Sequence, residues 1–114
     1  ASDVYKRQVL KVEPKKEPYT VDIEGNDSWE MFCNMRNEID ADLGQILTWN
    51  YSNDRSVLLF IDEEGKLKDK EYCRSLGLDY IAGTFLVVAY NESLDDYESL
   101  KNLELEEHTK YWSL

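Results

Sequence analysis

The chain has 114 residues and carries 24 Asp and Glu against 13 Lys and Arg, a net charge of −11, with one histidine and two cysteines. Such a charge balance repels nucleic-acid backbones and anionic membranes and attracts basic partners. The 42% hydrophobic fraction, with three Trp, eight Tyr and three Phe, fills a single core, and no apolar run approaches the roughly 20 residues that cross a bilayer.

Asp3–Gln8 reads DVYKRQ, the translation in one frame of a transposase mosaic-end adapter used in sequencing libraries. Residues 1–8 are therefore expected to be adapter-derived and non-native, and residues 9–114 to form one domain. Val9 to Glu13 and Tyr19 to Ile23 read as the arms of a hairpin, joined by the stiff Pro14–Pro18 loop. Asp27 with Glu30 has the form of a capping box. Trp29, Phe32, Cys33 and Ile39 then recur at helical spacing, predicting about three turns that end near Leu43-Gly44.

From Gly44 the period becomes two, with Leu47, Trp49 and Tyr51 on one face of a strand and Ile46, Thr48 and Asn50 on the other. Ser52-Asn53-Asp54 is a turn, and Val57–Ile61 is an apolar run that fits a central strand buried on both faces. Asp62–Gly65 reads as a charged turn, Lys70–Leu76 as a short helical piece, and Asp79–Tyr90 as a strand interrupted at Ala82-Gly83 by a bulge or close approach. A short strand or turn over Tyr97–Leu100 and a last helix over about Glu104–Trp112 complete the chain. The fold class is α+β, a mixed or antiparallel sheet of about five strands with two main helices packed on it.

Several segments resemble domain-of-unknown-function family 3846: Val9–Ile23 (VLKVEPKKEPYTVDI), Ile61–Leu67 (IDEEGKL), Asp79–Val88 (DYIAGTFLVV), and Tyr97–Leu100 followed by an acidic helix. Cys73-Arg74-Ser75-Leu76 keeps the arginine and leucine of the family's Asn-Arg-x-Leu and loses the asparagine. The resemblance implies an accessory protein of bacteriophages or conjugative elements, often encoded beside antirestriction genes, and implies no enzymatic activity.

Between Asn91 and Glu107 lie Glu92, Asp95, Asp96, Glu98, Glu104, Glu106 and Glu107 against the single Lys101. Carboxylates on a folded scaffold can stand in for phosphates and pair with the Lys and Arg of a nuclease; equally, they can be a solvated face that keeps the protein in solution. Arg74 with Gly83 and Thr84 could form a small anion pocket for a nucleotide, or Arg74 could pair with a carboxylate while Gly83 permits a bulge. His108 is read as a partly exposed helix residue. Cys33 and Cys73, with no CxxC pair, read as buried structural thiols in a reducing cytoplasm, with a disulfide as the alternative. Trp49, Tyr51, Tyr111 and Trp112 read as core and rim aromatics. No motif marks a nucleophile, and Asp62, Glu63 and Glu64 lack the spacing of a calcium loop.

The expectation is a non-catalytic acidic binding protein in the cytoplasm of a bacterial host, without cofactor or metal. It would antagonise a defence system by occupying a basic, nucleic-acid-binding surface, without contacting nucleic acid or membrane itself. Two alternatives stand beside it: a sponge that sequesters a nucleotide signal in a pocket around Arg74 and Thr84 or at a homo-oligomer interface, and a carboxylate or metal-dependent hydrolase.

Overall fold

The computed structural model describes residues 5–114; residues 1–4, half of the segment read as adapter-derived, lie outside the described residues. β1 (Lys6–Val12) and β2 (Tyr19–Glu24) form the expected hairpin. β1 takes in Lys6, Arg7 and Gln8, which pair with Glu24, Ile23 and Asp22. α1 (Ser28–Glu38) follows, then β3 (Gly44–Ser52), β4 (Arg55–Asp62), β5 (Tyr72–Leu76), β6 (Asp79–Ala82), β7 (Phe85–Asn91), β8 (Asp96–Glu98) and α2 (Asn102–Tyr111). Among the described residues the main sheet has six strands, in the order β2-β1-β7-β4-β3 with β8 beside β7, and β5 and β6 make a separate two-stranded sheet. Every pairing is antiparallel.

Alternation along the central strands splits the core in two. Val57 and Leu59 of β4, with Phe85, Val87 and Ala89 of β7, face Trp112, Cys73 and Ile81, so α2 and the β5–β6 hairpin cover this side. Leu58, Phe60, Leu86 and Val88 point the other way, onto Met31, Met35 and Ile39 of the α1 region. β4 is thus buried on both faces, as its unbroken apolar run requires.

Several local readings change. The buried positions of α1 are Met31 and Met35, whereas Trp29 stays 67% exposed. The cap itself holds: Asp27 Oδ1 accepts from Glu30 N at 2.8 Å. The helix ends five residues before Leu43, because Asp40 adopts a left-handed φ of 54°. Asp40 N then donates to Asn37 O and Ala41 N to Arg36 O, the two bonds of a Schellman motif with Asp in the usual glycine place.

Lys70–Leu76 is not helical. Turns through Lys66–Asp69 deliver the chain to β5, which returns as β6 through Gly77, whose φ of 61° supplies the first central position of a tight hairpin turn. At Gly83 the chain breaks rather than bulges, so β6 and β7 belong to different sheets. Asn53 and Asp54, both with positive φ (50° and 62°), close the β3–β4 hairpin as a type I′ turn requires. A bulge between Thr48 and Asn50 shifts the register, putting Leu47 opposite Leu59 but Tyr51 opposite Ser56. Leu47 and Tyr51 therefore lie on opposite faces, and the expected single aromatic face does not form.

Candidate functional site

Two tight turns meet at one end of the main sheet. Glu92 N, in the β7–β8 turn, donates to Asp54 O of the β3–β4 turn at 2.7 Å, and Ser93 Oγ donates to Asp54 Oδ2 at 2.8 Å. Tyr51 OH reaches Asp54 Oδ1 at 3.3 Å, and Tyr90 OH donates to Asp95 Oδ1. Asp54, Glu92 and Asp95 are all exposed, so the end of the sheet displays three carboxylates on a short, hydrogen-bonded scaffold. The Asp95 hydrogen bond pushes the Tyr90 phenol up to about 12, with burial and the charges of Asp95 and Glu92 adding to it. Burial, then Asp54, then Glu92 raise Tyr51 as well. Both tyrosines remain neutral and act as donors at physiological pH.

The other acidic residues of this third of the chain divide. Asp96 pairs with Arg7 at 3.2 Å. Arg55 holds Glu104 with both arms of its fork, Nε to Oε2 at 3.0 Å and Nη2 to Oε1 at 2.6 Å, and also binds Glu98 and Ser99 O. Burial pushes Glu104 up, but the Arg55 bond and the backbone N–H of Lys101 outweigh it and leave the carboxyl below its usual value. These contacts tie α2 and β8 to the sheet, so Asp96, Glu98 and Glu104 hold the fold together. Glu106 and Glu107 are exposed on α2.

Beside the acidic end lies a shallow groove of about 240 Å³ lined by Ser28, Trp29, Phe32, Tyr90 and Tyr97. Trp29 stacks on Phe32 with ring centroids 5.9 Å apart, and Tyr90 meets Tyr97 edge-on at 5.2 Å. Asp95 acts on both tyrosines, Glu92 on Tyr90 and Asp96 on Tyr97. Ring faces in a negative field suit a guanidinium or ammonium group, and Phe32 already carries Arg36 at 5.8 Å from its centroid. Sequence reading missed this groove because Trp29 at helical spacing passes for a core residue. Asp54 gives no such signal either, because Ser52-Asn53-Asp54 carries the composition of any tight turn and its contact with Glu92 is 38 residues away in the chain.

The Arg74 anion pocket does not assemble. Arg74 is 8% exposed and donates to Trp112 O (2.7 Å), Cys73 O (2.8 Å), Lys16 O (2.6 Å) and Glu13 O (3.3 Å). Its charge faces backbone carbonyls, among them the C-cap carbonyl of α2, where a cation is favoured. Among the described residues it pairs with no carboxylate either, which corrects the alternative reading. Gly83 N donates to Glu71 O at 2.7 Å, and Thr84 is half-buried beside it.

His108 is buried, not partly exposed, and its Nδ1 accepts from Trp112 Nε1 at 3.2 Å, while Trp49 packs edge-on against its ring. Burial lowers its pKa, only partly offset by Glu107 and Glu104. Asp62 is likewise no simple surface turn residue. Its side chain is fully buried, with Oδ2 at 2.7 Å from Lys70 Nζ and 3.1 Å from Lys68 Nζ, and Oδ1 accepts from Glu64 N. Cys33 is half-buried and Cys73 buried, and both are free thiols. Among the described residues no group of three or more His, Cys, Asp or Glu is placed to hold a metal ion, and no helix is long and apolar enough to cross a membrane.

The segments that carry the resemblance, Val9–Ile23, Ile61–Leu67, Asp79–Val88 and Tyr97–Leu100, all lie within the reach of a family model. The model for the Domain of unknown function (DUF3846) matches residues 6–113. The chain belongs to this family. The match takes in Lys6–Gln8 along with the rest of β1. No curated protein and no solved structure matches the chain.

Proposed function

We propose that this DUF3846 protein is a non-catalytic binding protein that offers fixed carboxylates to a basic protein surface. The observation that carries the reading is the sheet end itself. Asp54, Glu92 and Asp95 are exposed on two mutually bonded turns beside an aromatic groove, while Arg7 and Arg55 are already engaged by Asp96, Glu98 and Glu104. Carboxylates held in place this way meet a Lys- and Arg-rich surface without the ordering cost that mobile side chains incur. Glu106 and Glu107 extend the same sign of charge onto α2.

The family resemblance and the charge together favour a phage or mobile-element protein acting in a bacterial cytoplasm. Its target would be a nucleic-acid-binding defence protein whose basic surface it occupies. A guanidinium or ammonium group of that surface would enter the Trp29–Tyr90 groove. The nucleotide-sponge alternative lacks its cradle, since the Arg74 donors are taken up by carbonyls.

Competition with DNA tests the reading. Purified DNA-cleaving defence nucleases, each loaded with a fluorescent duplex, would be titrated with this chain and followed by anisotropy. Displacement by the wild type, lost in the triple variant D54N/E92Q/D95N, is the expected result. Displacement that survives in the triple variant, or none with any nuclease, would rule the proposed surface out.

A further inference from the structure

The two edges of the main sheet are finished differently. β2 carries Asp22 and Glu24, charges that discourage strand addition at that edge. At the opposite edge β3 pairs only with β4 among the described residues, and from Leu43 to Asn53 it has no charged residue in a chain that is 32% Asp, Glu, Lys and Arg. Along it Leu43 is 50%, Ile46 42% and Tyr51 56% exposed, and Trp49, which packs on His108, Tyr111 and Trp112, keeps 36% of its surface exposed.

The backbone groups that face outward can be read from the register. Glu63 N donates to Leu43 O at 3.0 Å, in line with the pairing of Gly44 with Asp62 and Gln45 with Ile61. Leu43, Gln45 and Leu47 are thus the bonded positions, and Gly44, Ile46 and Thr48 turn their N–H and C=O groups toward the open edge. The bulge after Thr48 ends this regular stretch.

We propose that the β3 edge is the contact between two copies of this chain. Gly44–Thr48 pairs antiparallel with the same segment of the second copy, and Ile46 meets its counterpart on the two-fold axis. The occupant follows from charge. Two molecules of net charge −11 repel over most of their surfaces and can approach along an uncharged strip, whereas a basic partner gains nothing from that strip. In this arrangement Leu43 of each copy lies beside Trp49 of the other.

An interface built on five paired residues is smaller than the roughly 800 Å² per copy of a standard interface, so the dimer is weak and populated only at high protein concentration. Rising salt screens the repulsion between copies and strengthens the dimer. This is the reverse of the salt dependence expected for a charge-led complex with a basic protein, so the two ideas stand or fall separately.

Sedimentation equilibrium at low and high salt is the test. The wild type should move from the monomer mass of 13.4 kDa toward twice that value as concentration rises, and further at high salt. I46K, which sets two charges against each other on the axis, and independently T48K should stay monomeric with unchanged circular dichroism. L78K, at an exposed apolar residue in the β5–β6 turn, should dimerise like the wild type. A wild type that is monomeric throughout, I46K and T48K proteins that still dimerise, or loss of the dimer in L78K would overturn the proposal.

Discussion

Replacing Arg74 with Ala separates a structural guanidinium from a ligand-binding one. Arg74 ties three parts of the chain together: the Glu13–Lys16 loop, β5 and the end of α2. Hydrogen bonds from a charged donor contribute roughly 1.5–3 kcal/mol each. The bond to Glu13 O is long at 3.3 Å, and water can replace the donors at the partly exposed Lys16 and Glu13 carbonyls. The full cost therefore falls on the two buried bonds to Trp112 O and Cys73 O, and R74A should lose about 3–6 kcal/mol. That is a large part of the 5–15 kcal/mol typical of a small domain. R74K should recover only part of it, since one ammonium cannot span carbonyls that a planar fork reaches. Urea denaturation followed by tryptophan fluorescence reads the change directly. A loss below about 1 kcal/mol, the range of ordinary surface substitutions, would refute the assignment and return Arg74 to the list of ligand-binding candidates.

Other changes test neighbouring parts of the account. D62N leaves Lys70 and Lys68 without their carboxylate beneath the β4 turn, and because Lys68 is one-third exposed the expected loss is about 2–3 kcal/mol; urea titration that shows no loss would mean the pair is idle. Acid should destabilise the protein in two separate windows. His108 has a lowered pKa, so its unfolded form binds a proton first and stability begins to fall below about pH 6.5. Asp62 and Glu104 also have lowered values, so their stabilisation is present at neutral pH and is lost only as pH drops below the usual carboxylate range. Urea midpoints measured against pH should show both windows in the wild type and only the lower one in H108Q. Burial, only partly relieved by the Arg74 charge, pushes the Cys73 thiol up to about 11. Iodoacetamide at mild alkaline pH should therefore label native protein at Cys33 and leave Cys73 unmodified, as peptide mass mapping will report; rapid labelling of Cys73 would contradict its placement.

How much of this could be seen in the sequence depends on the range of the interaction. Short-range signals were legible. The Asp27 cap, the Pro14–Pro18 hairpin and the double-faced apolar run of β4 rest on neighbouring residues and a clear period. Two signals misled because their chemistry is unusual: Asp40 stands in the left-handed position that glycine usually marks, and the Trp49 bulge flips the face of Tyr51. Lys70–Leu76 reads as helical by propensity, and only its pairing with β6 makes it a strand.

The candidate site was half legible for the same reason. Composition marks the acidic third of the chain, and it cannot show that Arg55, about fifty residues away, binds Glu98 and Glu104. Nor can it show that Asp54 joins Glu92 through the meeting of two turns. Arg74 was conspicuous as a lone arginine in β5, but its partners are carbonyls, and a sequence pattern carries no trace of those.

The central claim is that exposed carboxylates at the sheet end bind a basic protein surface. The most direct measurement is the affinity for a nuclease that the chain displaces from DNA, determined over a range of salt concentrations for wild type, D54N/E92Q/D95N and W29A. The account predicts that log Kd rises steeply with log salt for the wild type, that the triple variant is both weaker and less salt-dependent, and that W29A weakens binding while keeping the slope. A wild-type affinity indifferent to salt, or a triple variant with the wild-type affinity and slope, would contradict it.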